Sequence, residues 1–171
     1  SKAYLSGEQE QEKLLLRAAA FYEKQNIEVK TSTSVTEINP QNSTIRIDDR
    51  EDLSFEHLLI ATGSRVRKIN VSGSELNNIH YLRTIEDVDQ IRSGMAKDKK
   101  LVIVGGGYIG LEVAAIATQT GMRVRVLETE DRVLQRVTTP TMSSYYTRLH
   151  EKRGVRIHTK TRVIGFEGKS A

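Results

Sequence analysis

The stretch Leu101–Ala114, LVIVGGGYIGLEVA, constrains this chain more than any other. Four apolar residues of strand character run straight into glycines spaced G-x-G-x-x-G, namely Gly105, Gly107 and Gly110. A helical pattern with small residues on one side, YIGLEVAAIATQT, follows, and Gly121 supplies its stop. RVRVLE then reads as a second strand, ending on the acid Glu128 about twenty residues beyond the loop. Thr139 and Pro140 have the form of an N-cap and first helical residue for TMSSYYTRLHEKR, which Gly154 closes before the strand-like VRIH. This β-α-β-α-β alternation predicts an α/β fold, with a Rossmann-like parallel sheet and right-handed crossovers.

The loop chemistry is specific. Gly105 permits the tight turn, Gly107 leaves room for a pyrophosphate beside backbone N–H groups, and Gly110 lets the helix pack closely on the strand. With Gly106, Tyr108 and Ile109 these residues form the candidate nucleotide-binding loop, and the helix N-terminus faces the anion with free donors and a favourable dipole. A carboxylate at Glu128 can accept from both hydroxyls of an adenosine ribose. A 2′-phosphate would instead meet its charge and that of Glu130, which favours NAD(H) over NADP(H). Arg132 complicates this: it either meets a phosphate or is a solvated loop residue partnering Glu130 or Asp131. Glu112, two residues past Gly110, is either a carboxylate favourably placed near a helix N-terminus or a group that reaches the nicotinamide carboxamide.

About a hundred residues precede this unit, although such a loop usually opens its domain. Ser6 with Gln9 resembles a capping box, and EQEKLLLRAAAFYEKQN brings Leu14, Ala18, Phe21 and Tyr22 onto one stripe, predicting a single helix ending near Asn26. Alternation around Val35–Ile38 and Ile45–Ile47, with NPQN between, predicts a hairpin or meander. Phe55–Ile60 reads as a mostly apolar strand entering a loop at Gly63. Thr84 with Asp87 caps a short helix that Gly94 ends. The polar AKDKK that follows suggests a boundary, dividing the chain into residues 1–97 and 98–171.

Composition mainly excludes. The balance of 26 Lys+Arg against 22 Asp+Glu is only mildly positive, and the basic residues are scattered, which argues against nucleic-acid binding. With no cysteine and with His57, His80, His150 and His158 far apart, no metal site is expected. No apolar run approaches a membrane span and no leader is visible, so a cytoplasmic protein is the default. Opening on SKAYL without methionine and stopping at FEGKSA, the sequence reads as an internal fragment.

SKAYL, IATGSR, YLRTIEDV and LVIVGGGYIGLEVA…VRVLETEDRVLQRV, in that order, resemble the FAD-dependent ferredoxin and rubredoxin reductases over essentially the whole chain. The resemblance implies a glutathione-reductase-like plan with an NAD-binding domain inserted in an FAD-binding domain. Residues 1–97 would be the later part of the FAD domain's first segment, and residues 98–171 a C-terminally truncated NAD-binding domain. It implies that Lys2 sits beside the flavin ring, and that Val35, Ala61, Thr62, Gly63 and Arg83 contact FAD. It also implies that Glu112 lies near the nicotinamide, making Lys2 and Glu112 the candidate catalytic residues. The implied activity passes electrons from NADH through FAD to a [2Fe-2S] ferredoxin or a rubredoxin that supplies an oxygenase. Related flavoproteins with the same plan remain alternatives: an NADH oxidase, a nitrite-reductase subunit, a dithiol reductase with cysteines upstream of a comparable SK, or a non-enzymatic NAD-binding redox sensor.

Overall fold

The computed structural model describes residues 2–168. In chain order the elements are α1 (Lys2–Leu5), a 3-10 turn (Gln11–Leu14), α2 (Ala19–Lys24), β1 (Val35–Asn39), β2 (Thr44–Ile47), β3 (Glu51–Ser54), α3 (Ile85–Gly94), β4 (Lys100–Val104), α4 (Tyr108–Gln119), β5 (Arg123–Leu127), α5 (Pro140–Glu151) and β6 (Arg156–His158). The chain divides into two compact units, Leu15–Ser64 and the combination of Ser1–Leu14 with Arg65–Ala171.

The larger unit carries a parallel sheet in the order β4-β5-β6. Every element expected after Leu101 is present. Thr139 caps α5 by accepting from the Met142 N–H, with Pro140 at its first position, and Gly121 and Gly154 take positive φ where the two helices end. Small residues let α4 lie close on the sheet: Ala114 and Ala117 are completely buried with Val124, Val126 and Val155. The adjoining flank of α4 carries Val113 and Ile116, which pack with Tyr4 and Leu5 of α1 and Val88 of α3. Thr84 and Asp87 make the expected capping box at the start of α3. The Thr84 backbone N–H on Asp87 is the main reason that carboxyl titrates below its ordinary value, against the opposing effect of burial.

The segment from Arg65 onward belongs with the parallel sheet: Ser72 bridges Gly165, the Phe166 N–H donates to the Ser72 carbonyl at 2.7 Å, and α3 is part of the α4 core. The two sheets are nonetheless separate.

The smaller unit holds α2 and an antiparallel meander in the order β1-β2-β3. The expected hairpin forms, with Ile38 opposite Ile45 and the Asn39 side chain accepting the Asn42 N–H across the turn. Three expectations are corrected. The single helix to Asn26 is broken into the 3-10 turn and α2, with Ala18 extended between them. Of the stripe, Ala18 and Phe21 are exposed and Leu14 and Tyr22 only half-buried, so it buries little, and a lone helix of that length is marginal in water. The Ser6 hydroxyl donates to the Ala3 carbonyl rather than capping a following helix. The strand expected at Phe55–Ile60 is absent: β3 ends at Ser54, and Leu59 is 88% exposed. An apolar strand needs ladder partners, and no described strand pairs with this one.

Candidate functional site

The glycine loop is closed at both ends by backbone bonds. The Gly105 N–H donates to the Leu127 carbonyl at 2.8 Å, and the Leu134 N–H donates to the Gly106 carbonyl at 2.9 Å, tying the loop to the tip of β5 and to the segment after it. Gly105 has φ +111°, a conformation that side chains oppose. A Cβ on Gly110 would collide with the Gly105 carbonyl oxygen and press on Ile103, so the third glycine is required for close helix-strand packing. At Gly107, the N-cap of α4, a Cβ would meet no atom within 4 Å. The space that the second glycine should leave for a phosphate is therefore open.

Glu128 is latched onto this loop. Its Oε2 accepts the Gly106 N–H at 2.6 Å, while Oε1 accepts the Glu130 N–H at 2.9 Å and the Thr129 hydroxyl at 3.2 Å. Partial burial pushes the carboxyl pKa up, but the bonds from the Glu130 and Gly106 backbones and from Thr129 outweigh it and hold Glu128 below the usual glutamate range. An ionised carboxylate has about four acceptor positions, and three are used here, which leaves one for a hydroxyl donor.

Loop and carboxylate open into a cavity of about 700 Å³ whose walls include Gly105, Gly107, Tyr108 and Glu128. Sequence reasoning missed its remaining cations, Arg67, Arg136 and Arg162. They come from three separate loops, and only the fold collects them. Arg136 approaches Glu130 at 3.8 Å. Among the described residues Arg132 makes no ion pair with Glu130 or Asp131, which pair with Arg136 and Lys160 instead. The Arg132 guanidinium donates to the Thr138 carbonyl (2.9 Å), the Ser143 hydroxyl (2.6 Å) and the Gln135 carbonyl (3.0 Å), so it pins the loop before α5.

Lys2 and Glu112 meet at 3.1 Å, from the start of α1 and from α4. Arg83 is exposed beside α3, where its backbone N–H donates to Asp87 at 2.8 Å. Val35 opens β1, and Ala61, Thr62 and Gly63 lie in an exposed irregular stretch of the smaller unit. Gly63 has φ +74°, and Ala61–Gly63 make no backbone hydrogen bond among the described residues, leaving donors and acceptors available to a nucleotide. Among the described residues no cluster of His, Asp and Glu could hold a metal ion, and no helix is long and apolar enough to cross a membrane.

A profile of the family described as pyridine nucleotide-disulphide oxidoreductase matches residues 1–171. Putidaredoxin reductase CamA of Pseudomonas putida is 45% identical over 170 residues, covering 98% of this chain and 40% of that protein. A probable ferredoxin reductase, CtmF, of Castellaniella defragrans is 41% identical, covering 98% of this chain and 41% of its own length. Among solved structures, the covalent putidaredoxin reductase-putidaredoxin complex superposes with a TM-score of 0.89 at 44% identity, over 99% of this chain and 41% of that one. The chain thus spans about two fifths of the length of these relatives.

Proposed function

The chain belongs to the pyridine nucleotide-disulphide oxidoreductase family, and from that premise we propose that it is part of an NADH-dependent flavoprotein reductase that delivers electrons through FAD to a ferredoxin or rubredoxin. Two of its relatives carry ferredoxin-type reductase names, and a structural neighbour is a reductase joined to its putidaredoxin. The observation that supports the reading most is the 3.1 Å approach of Lys2 and Glu112. These residues stand 110 positions apart, and the sequence resemblance assigns one to the flavin side and the other to the nicotinamide side.

The residues present fit the two nucleotides. The open face at Gly107 and the free donors of the first turn of α4 would hold the dinucleotide pyrophosphate. The spare acceptor position on Glu128 would take a ribose hydroxyl, and its fixed negative charge would disfavour a 2′-phosphate. With Arg132 occupied by protein partners, the nearest arginine in the sequence is withdrawn from phosphate binding, which favours NADH. Lys2, Val35, Ala61, Thr62, Gly63 and Arg83 would serve FAD, within a division of the chain into an FAD-binding part up to residue 97 and an NAD-binding part beyond it. When bound, the nicotinamide and flavin supply hydride and single-electron chemistry. The protein's share is placement and charge. Lys2 contributes a cation, and Glu112 is its carboxylate partner.

The test is anaerobic addition of NADH to the full-length protein, followed by flavin absorbance and then by reduction of an added ferredoxin. Bleaching with carrier reduction is the expected result. Bleaching reversed only by oxygen or by a disulfide would move the protein to the oxidase or dithiol branch. Preferential use of NADPH would overturn the role given to Glu128.

A further inference from the structure

The Lys2–Glu112 pair does not hold itself together. Its side chains are 66% and 46% exposed, and ion pairs in that setting contribute little because solvent screens them and two long side chains must be ordered. Helix α1, which carries Lys2, is a single turn, too short to persist without tertiary contacts. Some other set of contacts fixes Lys2, and the structure shows it on the neighbouring helix.

Tyr4 is 5% exposed and lies in one apolar cluster with Leu5, Val88 of α3, and Val113 and Ile116 of α4. Three further contacts reach it from α3. Its hydroxyl donates to Asp89 at 2.8 Å. The Arg92 guanidinium lies 5.0 Å from the centre of its ring. That guanidinium also donates to the Tyr4 backbone carbonyl at 3.2 Å, which accepts the Gly7 N–H at 3.1 Å as well. Arg92 and Asp89 pair with each other at 3.4 Å, closing the set. The capping box on Thr84 and Asp87 anchors the start of the same helix. Val113, next in sequence to Glu112, belongs to the Tyr4 cluster, so both members of the ion pair are set by the same packed group.

We propose that Tyr4, Asp89 and Arg92 are positioning residues: by clamping α1 to α3 they keep the Lys2 ammonium on the Glu112 carboxylate. The inference rests on the reading of Lys2 and Glu112 given above. None of the three touches a reacting group. Their effect passes through Lys2, and the hydroxyl of Tyr4 matters to it beyond the packing of the ring.

The test uses Tyr4→Phe and Asp89→Asn in the full-length flavoprotein, two changes that preserve side-chain shape. Hydrogen exchange should quicken roughly tenfold at the amides of Ser6 and Glu8, which donate to the α1 carbonyls of Lys2 and Ala3, and stay unchanged in β5. Flavin reduction at saturating NADH should slow roughly three- to tenfold with KM for NADH unaltered. In a Glu112→Gln background Tyr4→Phe should cause no further loss, because both changes act on one pair. Unchanged exchange at Ser6 and Glu8 would overturn the proposal, as would an equal loss from Tyr4→Phe with and without Glu112. If Lys2→Met and Glu112→Gln themselves leave flavin reduction intact, the functional reading fails and the positioning role fails with it. Impairment by those two changes but not by Tyr4→Phe or Asp89→Asn would refute the positioning role alone.

Discussion

Replacing Glu128 with Gln separates the two things this side chain does. The carboxylate uses both oxygens, one on the Gly106 N–H and the other on the Glu130 N–H and the Thr129 hydroxyl. Glutamine keeps the shape but offers one acceptor oxygen, so whichever way its amide turns, an NH2 faces one of the two backbone donors. Leaving such a donor without its partner costs about 1–3 kcal/mol, and the bond that survives is weaker for having lost its charge. Because Glu128 is only half-buried, water relieves part of this, and the expected loss is about 2 kcal/mol at neutral pH. For a chain of this size that is a fall in Tm of about 4–8 °C. The pH dependence follows from the lowered pKa of the native carboxyl. The unfolded chain binds the proton first, so the stabilisation by Glu128 is complete above the ordinary glutamate value of about 4.3 and is lost as pH falls through the native value. Urea denaturation of parent and Glu128→Gln across pH 7 to 3 should show a gap that narrows on acidification. Equal stability at pH 7, or a gap that does not narrow, would refute the latch.

Gly110→Ala should destabilise by about 1–3 kcal/mol in spite of alanine's helix preference, because its Cβ collides with the Gly105 carbonyl; a melting curve reads this directly. Gly107→Ala, where the Cβ meets open space, should leave that melting curve unchanged and weaken NADH binding roughly tenfold, about 1.4 kcal/mol by titration. Arg132→Met should cost about 2–3 kcal/mol in chemical denaturation through its three lost bonds, with the preference between NADH and NADPH unmoved; a shifted preference would return Arg132 to the nucleotide. His150 is buried with its Nδ1 unpartnered, and burial, aided by Arg153, lowers its pKa. The unfolded chain therefore binds the proton more readily, so stability should decline as pH falls below about 6.5, and His150→Leu should flatten that slope in urea midpoints measured between pH 7.5 and 5.5.

What could be read from residues alone divides along a physical line. The glycine loop, Glu128 and the caps at Thr84 and Thr139 were legible because each depends on backbone geometry within a few residues or on a fixed strand-helix-strand spacing. The partners of Arg132, Thr138 and Ser143, were not legible because they reach it only once the loop before α5 has folded back; nothing in the local charge pattern distinguishes it from Arg136. The meeting of Lys2 with Glu112 could not be derived from any periodicity, and only the family resemblance named both residues. The clearest failures, the single helix to Asn26 and the strand at Phe55–Ile60, share a cause: apolar patterning states that a segment needs burial without saying against what. Where α4 met that need with the sheet and, beside it, with Tyr4, its pattern became structure. Leu58–Ile60, with the same kind of apolar run, has no ladder among the described residues and stays irregular and exposed. A glycine at φ +111° can be recognised without knowing its neighbours, whereas an apolar strand is defined by what lies beside it.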